Sequence, residues 1–300
     1  MEAHDFNGEH QPDLKLLVKR YEGMLQDGGI SFLEADSFLM LIDYYEEVDN
    51  NKLALNTLVH ALEQHPFSTS LYVRKAQLLC EEAYYQQALK ALDLAIVYSP
   101  SELDIYLTKA DIFLRTLEYN KALDILSLAK DFARGVDLAD IYILESTIYE
   151  TKKEYTKAIK SLKLALKHDP NSDIALNRIW CVFDLSFEYS KSIDYHCKFI
   201  DKYPYSYWAW FNLGMSYSNV GMLEKAAEAF DYAIVINENF EPAYHYYIDV
   251  LIGLESFDLA LRYLDEYTQI FEADAQIWYQ KGQCYEFKQQ FKNAISFYAK

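Results

Sequence analysis

The sequence predicts an all-α fold built from one helical hairpin repeated along the chain, and three observations predict it. Glycine contributes 9 and proline 6 of the 300 residues, well below the share that turn-rich sheet architectures consume. The two dipeptides that resemble hairpin turns, Asn7-Gly8 and Asp27-Gly28, do not lie between alternating apolar runs. Large and small apolar residues instead recur at helical spacing, in a pattern that returns about every 34 residues.

Charge and cysteine usage narrow the class further. The chain has 46 acidic and 28 basic residues, a formal net charge of -18. Such a chain is repelled by nucleic acid and by anionic membrane surfaces, and nothing in the reading supplies a basic stripe. The N-terminus, MEAHDFNGEHQPDL, has neither a basic segment nor an apolar run of a secretory signal. No apolar run approaches the ~20 residues a membrane helix needs. Cys80, Cys181, Cys197 and Cys284 form no CxxC pair and read as reduced thiols. A cytoplasmic protein is expected.

Taken in chain order, residues 1–34 are expected to form a flexible N-terminus followed by an amphipathic capping helix. Leu14, Leu17, Val18, Tyr21 and Leu25 share one helical face, and Gly28-Gly29 stops it. Repeats then start at residues 35, 69, 103, 139, 173, 207, 241 and 275, with one longer step of 36 residues near Arg134-Gly135-Val136. Position 4 of these frames is Phe38, Tyr72, Tyr106, Tyr142, Leu176, Trp210, Tyr244 and Trp278. Position 20 is alanine in every frame except the fifth, where it is Ser192. Position 32 is Pro66, Pro100, Pro170 and Pro204 in four frames, each ending a second helix. A large ring at position 4 fills space between helices, and a small residue at position 20 lets two helices touch. The eighth frame stops at Lys300, part way along its second helix, which points to truncation of a longer chain.

The run Trp210, Leu213-Gly214, Tyr217, Ala226, Phe230 matches the W-x2-L-G-x2-Y…A-x3-F pattern of the tetratricopeptide repeat. The chain is thereby identified as resembling that family over residues 35–300. The resemblance implies a right-handed α-solenoid of helix-turn-helix hairpins, each burying its apolar face on its neighbours and together lining a concave groove. It also implies that positions 2, 5, 9, 12 and 13 of each first helix face that groove. These positions place Asp36, Asp43, Glu46, Glu47, Glu81, Asp104, Asp111, Asp140 and Glu150 there, opposed by Arg115. Further along they hold Trp208, Phe211, Met215, His245, Tyr279 and Phe287, so the groove is expected to pass from acidic to aromatic.

Function is expected to follow from binding and not from catalysis. No GxxxxGK[ST], GxGxxG or HExxH motif occurs, and the reading calls for no enzyme activity, no cofactor and no metal site. The family's clamp for acidic chaperone C-terminal tails needs lysine at position 5, and no position 5 here holds lysine or arginine. The leading expectation is a scaffold or adaptor that captures a protein segment with basic and apolar residues. The alternative is a structural protein that stacks through its open ends. The fifth frame departs from the pattern, with Trp180 at position 8, His196 at position 24 and Phe199 at position 27. Either His196 is a core histidine bonded to Ser192 or a carbonyl, or the frame is a kink between two sub-stacks.

Overall fold

In a computed structural model, residues 11–26, 28–29 and 31–300 are described, and they form seventeen helices with no strand among them. The flexible stretch expected before residue 11 lies outside the described residues. Helix α1 (Gln11–Gln26) precedes eight hairpins. They are α2–α3 (Ala35–Glu47, Asn51–Gln64), α4–α5 (Thr69–Glu81, Tyr85–Tyr98), α6–α7 (Leu103–Arg115, Tyr119–Ala129) and α8–α9 (Val136–Thr151, Tyr155–His168). The others are α10–α11 (Asp173–Leu185, Tyr189–Lys202), α12–α13 (Tyr207–Asn219, Leu223–Ile236), α14–α15 (Glu241–Gly253, Phe257–Ile270) and α16–α17 (Ala275–Phe287, Phe291–Tyr298).

The turn inside every hairpin is closed in the same way. Each first helix ends on a residue in the left-handed region: Asp49, Ala83, Leu117, Lys153, Phe187, Gly221, Glu255 and Gln289, with φ between 55° and 76°. The next residue donates its N–H to a carbonyl five positions back, as in Asn50 to Tyr45 at 2.7 Å and Met222 to Tyr217 at 2.9 Å. Glycine occupies this position only at Gly221, although a side chain there costs about 1 kcal/mol or more. Phe187 is the exposed extreme, with φ 55° and 79% of its surface accessible. Phe187→Gly is therefore expected to stabilise the fold by about 1 kcal/mol, read in a thermal melt as a rise of about 3 °C. A lower melting temperature would show that the Phe187 ring contributes more than its backbone costs.

Between hairpins, the ring at position 4 also holds the connecting turn. The Tyr72 and Tyr106 hydroxyls donate to the carbonyls of Pro66 and Pro100 at 3.1 and 2.5 Å, and the Trp210 indole donates to Pro204 at 2.8 Å. One side chain thus fills the core with its ring and satisfies a turn carbonyl with its polar end. The alanines at position 20 are buried in all seven frames that carry one.

The chain divides into two compact units at Asp137 and Leu138. The division falls beside the 36-residue step, ahead of the fifth frame. Helix α7 is short and no proline ends it. Gly135 turns the chain at φ 54°, while Arg134 Nη1 donates to the carbonyls of Asp131 and Ala133 at 3.2 and 2.6 Å. Helix α8 then starts at Val136, three residues ahead of the frame.

In the first unit, α1 buries Val18 and Tyr21 against the first hairpin. The Tyr21 ring meets Phe38 edge-on at 6.3 Å, and its hydroxyl bonds His60 Nδ1 at 2.8 Å. The second unit carries two overlapping cores, one centred on α9, α10 and α11 and one on α12 to α15. At their junction His196 is buried. Its Nδ1–H donates to the Ser192 carbonyl at 2.9 Å, which fits the core-histidine reading. Ser192 Oγ lies 2.7 Å from Ser216 Oγ, which itself donates to the Asn212 carbonyl at 2.7 Å. His196 Nε2 is buried without a partner. Trp180 occupies a position held by smaller side chains in every other frame. Phe199 occupies one held by alanine in all others that reach it but the seventh, where it is Tyr267, and α10 and α11 approach each other less closely than α12 and α13.

Candidate functional site

The first helices of the N-terminal unit carry the acidic positions, and their geometry sorts these residues into two groups. Asp36, Glu47 and Asp104 are exposed and make no ion pair among the described residues. Asp43 and Glu46 are instead gripped from the next hairpin by Arg74, whose Nη2 lies 2.5 Å from Asp43 and also contacts Glu46. Burial pushes the Glu46 carboxyl above its ordinary pKa; Arg74 pulls the other way, while Glu81 and Asp43 add to the rise. Asp111 pairs with Arg115 one turn along α6 at 2.7 Å.

In the C-terminal unit the same reach from hairpin to hairpin recurs. Arg178 pairs with Glu150 at 2.7 Å, and Gln280 donates to Asp249 at 2.6 Å. Asp140 is exposed on α8. Arg74, Arg178 and Gln280 all occupy position 6 of their frames, so in these frames the position ties a first helix to its predecessor. The frame analysis, confined to positions 2, 5, 9, 12 and 13, missed that row; its signal is an arginine one residue past a position expected to face the groove.

The aromatic end is less open than expected. Phe211 and Met215 are 5% and 6% exposed and belong to the packed core, which corrects their placement on a groove surface. Phe211 is covered by Phe240 at 5.2 Å and by Tyr246 at 5.5 Å, rings that the following hairpin and its lead-in supply. Trp208 is half-buried, edge-on to Phe240 at 4.7 Å. His245 is half-buried, with Nε2 3.3 Å from the Tyr267 hydroxyl. Tyr279 remains 58% exposed, and Phe287 is exposed but stacked on Phe257 at 5.1 Å.

Each unit has a cleft of similar size, the one in the C-terminal unit, about 450 Å³, lying between residues 153–157 and 185–186. In the N-terminal unit a cleft of about 430 Å³ is lined by Leu39, Thr69, Ser70, Val73, Arg74, Gln77, Glu102 and Asp104. Leu39 and Val73, both position-5 side chains, give the lining an apolar part, Thr69 and Ser70 add hydroxyls, and Glu102 and Asp104 add unpaired carboxylates. Among the described residues no group of three His, Cys, Asp or Glu side chains is placed to hold a metal ion. All four cysteines are free, and burial raises the thiols of Cys80, Cys181 and Cys284.

Family models of the tetratricopeptide repeat match residues 139–172, 198–228 and 275–300. The chain carries tetratricopeptide repeats over these segments. No protein of curated function matches it. Among solved structures, the chain is similar to MamA, at 22% identity over 54% of this chain and 89% of that one, with a TM-score of 0.46. It is also similar to YrrB, described as a tetratricopeptide repeat protein with an unusual peptide-binding site, at 20% identity over 63% of this chain and 96% of that one, TM-score 0.40. A third is a tetratricopeptide repeat protein from Parabacteroides merdae ATCC 43184, at 12% identity over 88% and 90%, TM-score 0.42. No catalytic family is indicated for this repeat protein, and none of its described helices is long and apolar enough to cross a membrane.

Proposed function

We propose that this protein is a non-enzymatic scaffold or adaptor that holds an extended segment of a partner protein in the cleft between α2, α4 and α6, with α1 acting as its N-terminal cap. The observation that carries this reading is the cleft's lining. Apolar Leu39 and Val73 share it with the unpaired carboxylates of Glu102 and Asp104. A lysine or arginine side chain fits such a place well, because its methylene stem packs on the apolar part while its charged head reaches the carboxylates. Position 6 supports the same reading from the other side. Arg74 already neutralises Asp43 and Glu46, so the unpaired acids that line the cleft are Glu102 and Asp104.

The test follows from that division. Reversing Asp43 would leave Arg74 short of a partner and confuse binding with stability, whereas Glu102 and Asp104 are exposed and unpaired. Wild type and the E102K/D104K variant are used as baits against native extract at low salt, where exposed charges are least screened. A protein recovered by wild type and lost by the variant identifies the partner. Equal recovery by both baits removes the cleft from the account, and recovery of the bait alone favours self-assembly.

A further inference from the structure

Helix α9 runs against the charge of the whole chain. In a protein with a formal charge of -18, it carries Lys157, Lys160, Lys163 and Lys167 and no acidic residue. All four lysines are exposed, although like charges three and four residues apart on a helix repel. Lys157 is answered by Glu154 at 2.5 Å. Lys160 and Lys167 have no ion-pair partner among the described residues. The expectation that no basic stripe exists is corrected here, because the overall acidity concealed a local run of lysines.

The neighbouring second helix extends this row into a patch. Lys163 Nζ lies over the Tyr195 ring of α11 at 4.7 Å and over Phe183 at 5.5 Å. Burial lowers the Lys163 pKa first; Lys191 and Lys198 lower it further, while Glu188 opposes them. Through its contact with Tyr195, Lys163 links the lysine row of α9 to α11. Lys191 is paired with Glu188 at 2.5 Å, Lys198 is exposed and unpaired, and Asp194 and Asp201 are the acids exposed on α11.

We infer that the outer face of α9 and α11 docks an acidic, Asp- and Glu-rich segment of a partner protein. Charge complementarity selects the occupant. The patch is built of lysine ammonium groups, compact point charges that suit scattered carboxylates, and it lacks the arginine forks that favour phosphates. A uniformly charged nucleic acid would also meet the acidic remainder of the chain, whereas a short acidic segment meets only the local patch. This face is separate from the α2–α4–α6 cleft and is of opposite charge, so the inference stands without the cleft reading.

The test measures binding of a short fluorescein-labelled polyglutamate peptide to the full chain by anisotropy, at near-physiological salt. K160E/K167E/K198E is compared with K52E/K90E/K292E, which makes the same change in net charge at exposed lysines elsewhere. The patch variant should bind about tenfold more weakly and the control within about twofold of wild type. The neutral variant K160Q/K167Q/K198Q should fall between wild type and the patch variant. Equal losses in both reversal variants, no peptide binding by wild type, or tighter binding of a single-stranded RNA of equal charge would each overturn the inference.

Discussion

His196→Leu is expected to remove much of the acid sensitivity of the unit that runs from Leu138 to Lys300. Burial lowers the His196 pKa from 6.5 to about 4; the bond to the Ser192 carbonyl opposes the shift and the nearby Lys163 charge adds to it. At pH 7 the ring is neutral in the folded chain and mostly neutral in the unfolded chain, so its slope there is small. As pH falls below 6.5 the unfolded chain takes up a proton that the folded chain refuses until about pH 4. Stability is therefore lost across that window as pH falls, by about 3 kcal/mol at its end. Leucine cannot titrate and suits an apolar position, and it also removes the buried, unpartnered Nε2. Urea unfolding between pH 7 and pH 4 should show wild type losing about 3 kcal/mol more than H196L. Parallel curves for the two proteins would place the acid sensitivity elsewhere.

Gly214→Val carries the second large effect. A Cβ at residue 214 would lie 2.7 Å from two atoms of the Phe230 ring, closer than real side chains approach. Phe230 cannot simply turn aside, since it is fully buried between Phe211 at 5.7 Å and Tyr246 at 6.0 Å. Overpacking at such a site costs about 3 kcal/mol. Phe230→Leu alone should cost about 1–2 kcal/mol through lost ring contacts, but in combination with G214V it should recover part of the deficit because space is returned where the methyls were added. A double-mutant cycle by chemical denaturation measures this coupling. Strictly additive losses would mean that the two residues do not meet.

The contrast between Phe230 and Phe211 shows what the sequence could and could not reveal. Rings and alanines within one frame were legible, because a hairpin buries them by its own geometry: positions 4 and 20 are where the helices touch. Side chains whose surroundings come from the next hairpin were not. Phe211 and Met215 follow the groove pattern, yet Phe240 and Tyr246 cover Phe211 from outside its frame. Arg74 was missed for the same reason, since its partners Asp43 and Glu46 lie about one repeat earlier. The left-handed turn residue escaped because only Gly221 advertises it, while Leu117, Phe187 and their equivalents are held there by the Schellman-type closure. The lysines of α9 were in plain view, and the net charge of the chain drew attention away from them.

Pairing of Asp43, Glu46, Asp111 and Glu150 with arginines changes the picture of an evenly acidic groove. The exposed Arg115–Asp111 pair contributes only about 0–1 kcal/mol to stability. Glu102 and Asp104, which line the cleft with Leu39 and Val73, are among the acids these pairs leave uncompensated. The proposed recognition there would depend on one basic side chain flanked by apolar ones.

Selection from a random peptide display library, with the full-length chain as bait, tests this claim most directly. Wild type should enrich peptides that place a lysine or arginine next to large apolar residues, and E102K/D104K should lose them. Enrichment of the same peptides by both proteins, or of peptides without a basic residue, would contradict the assignment of the α2–α4–α6 cleft as the partner-binding site.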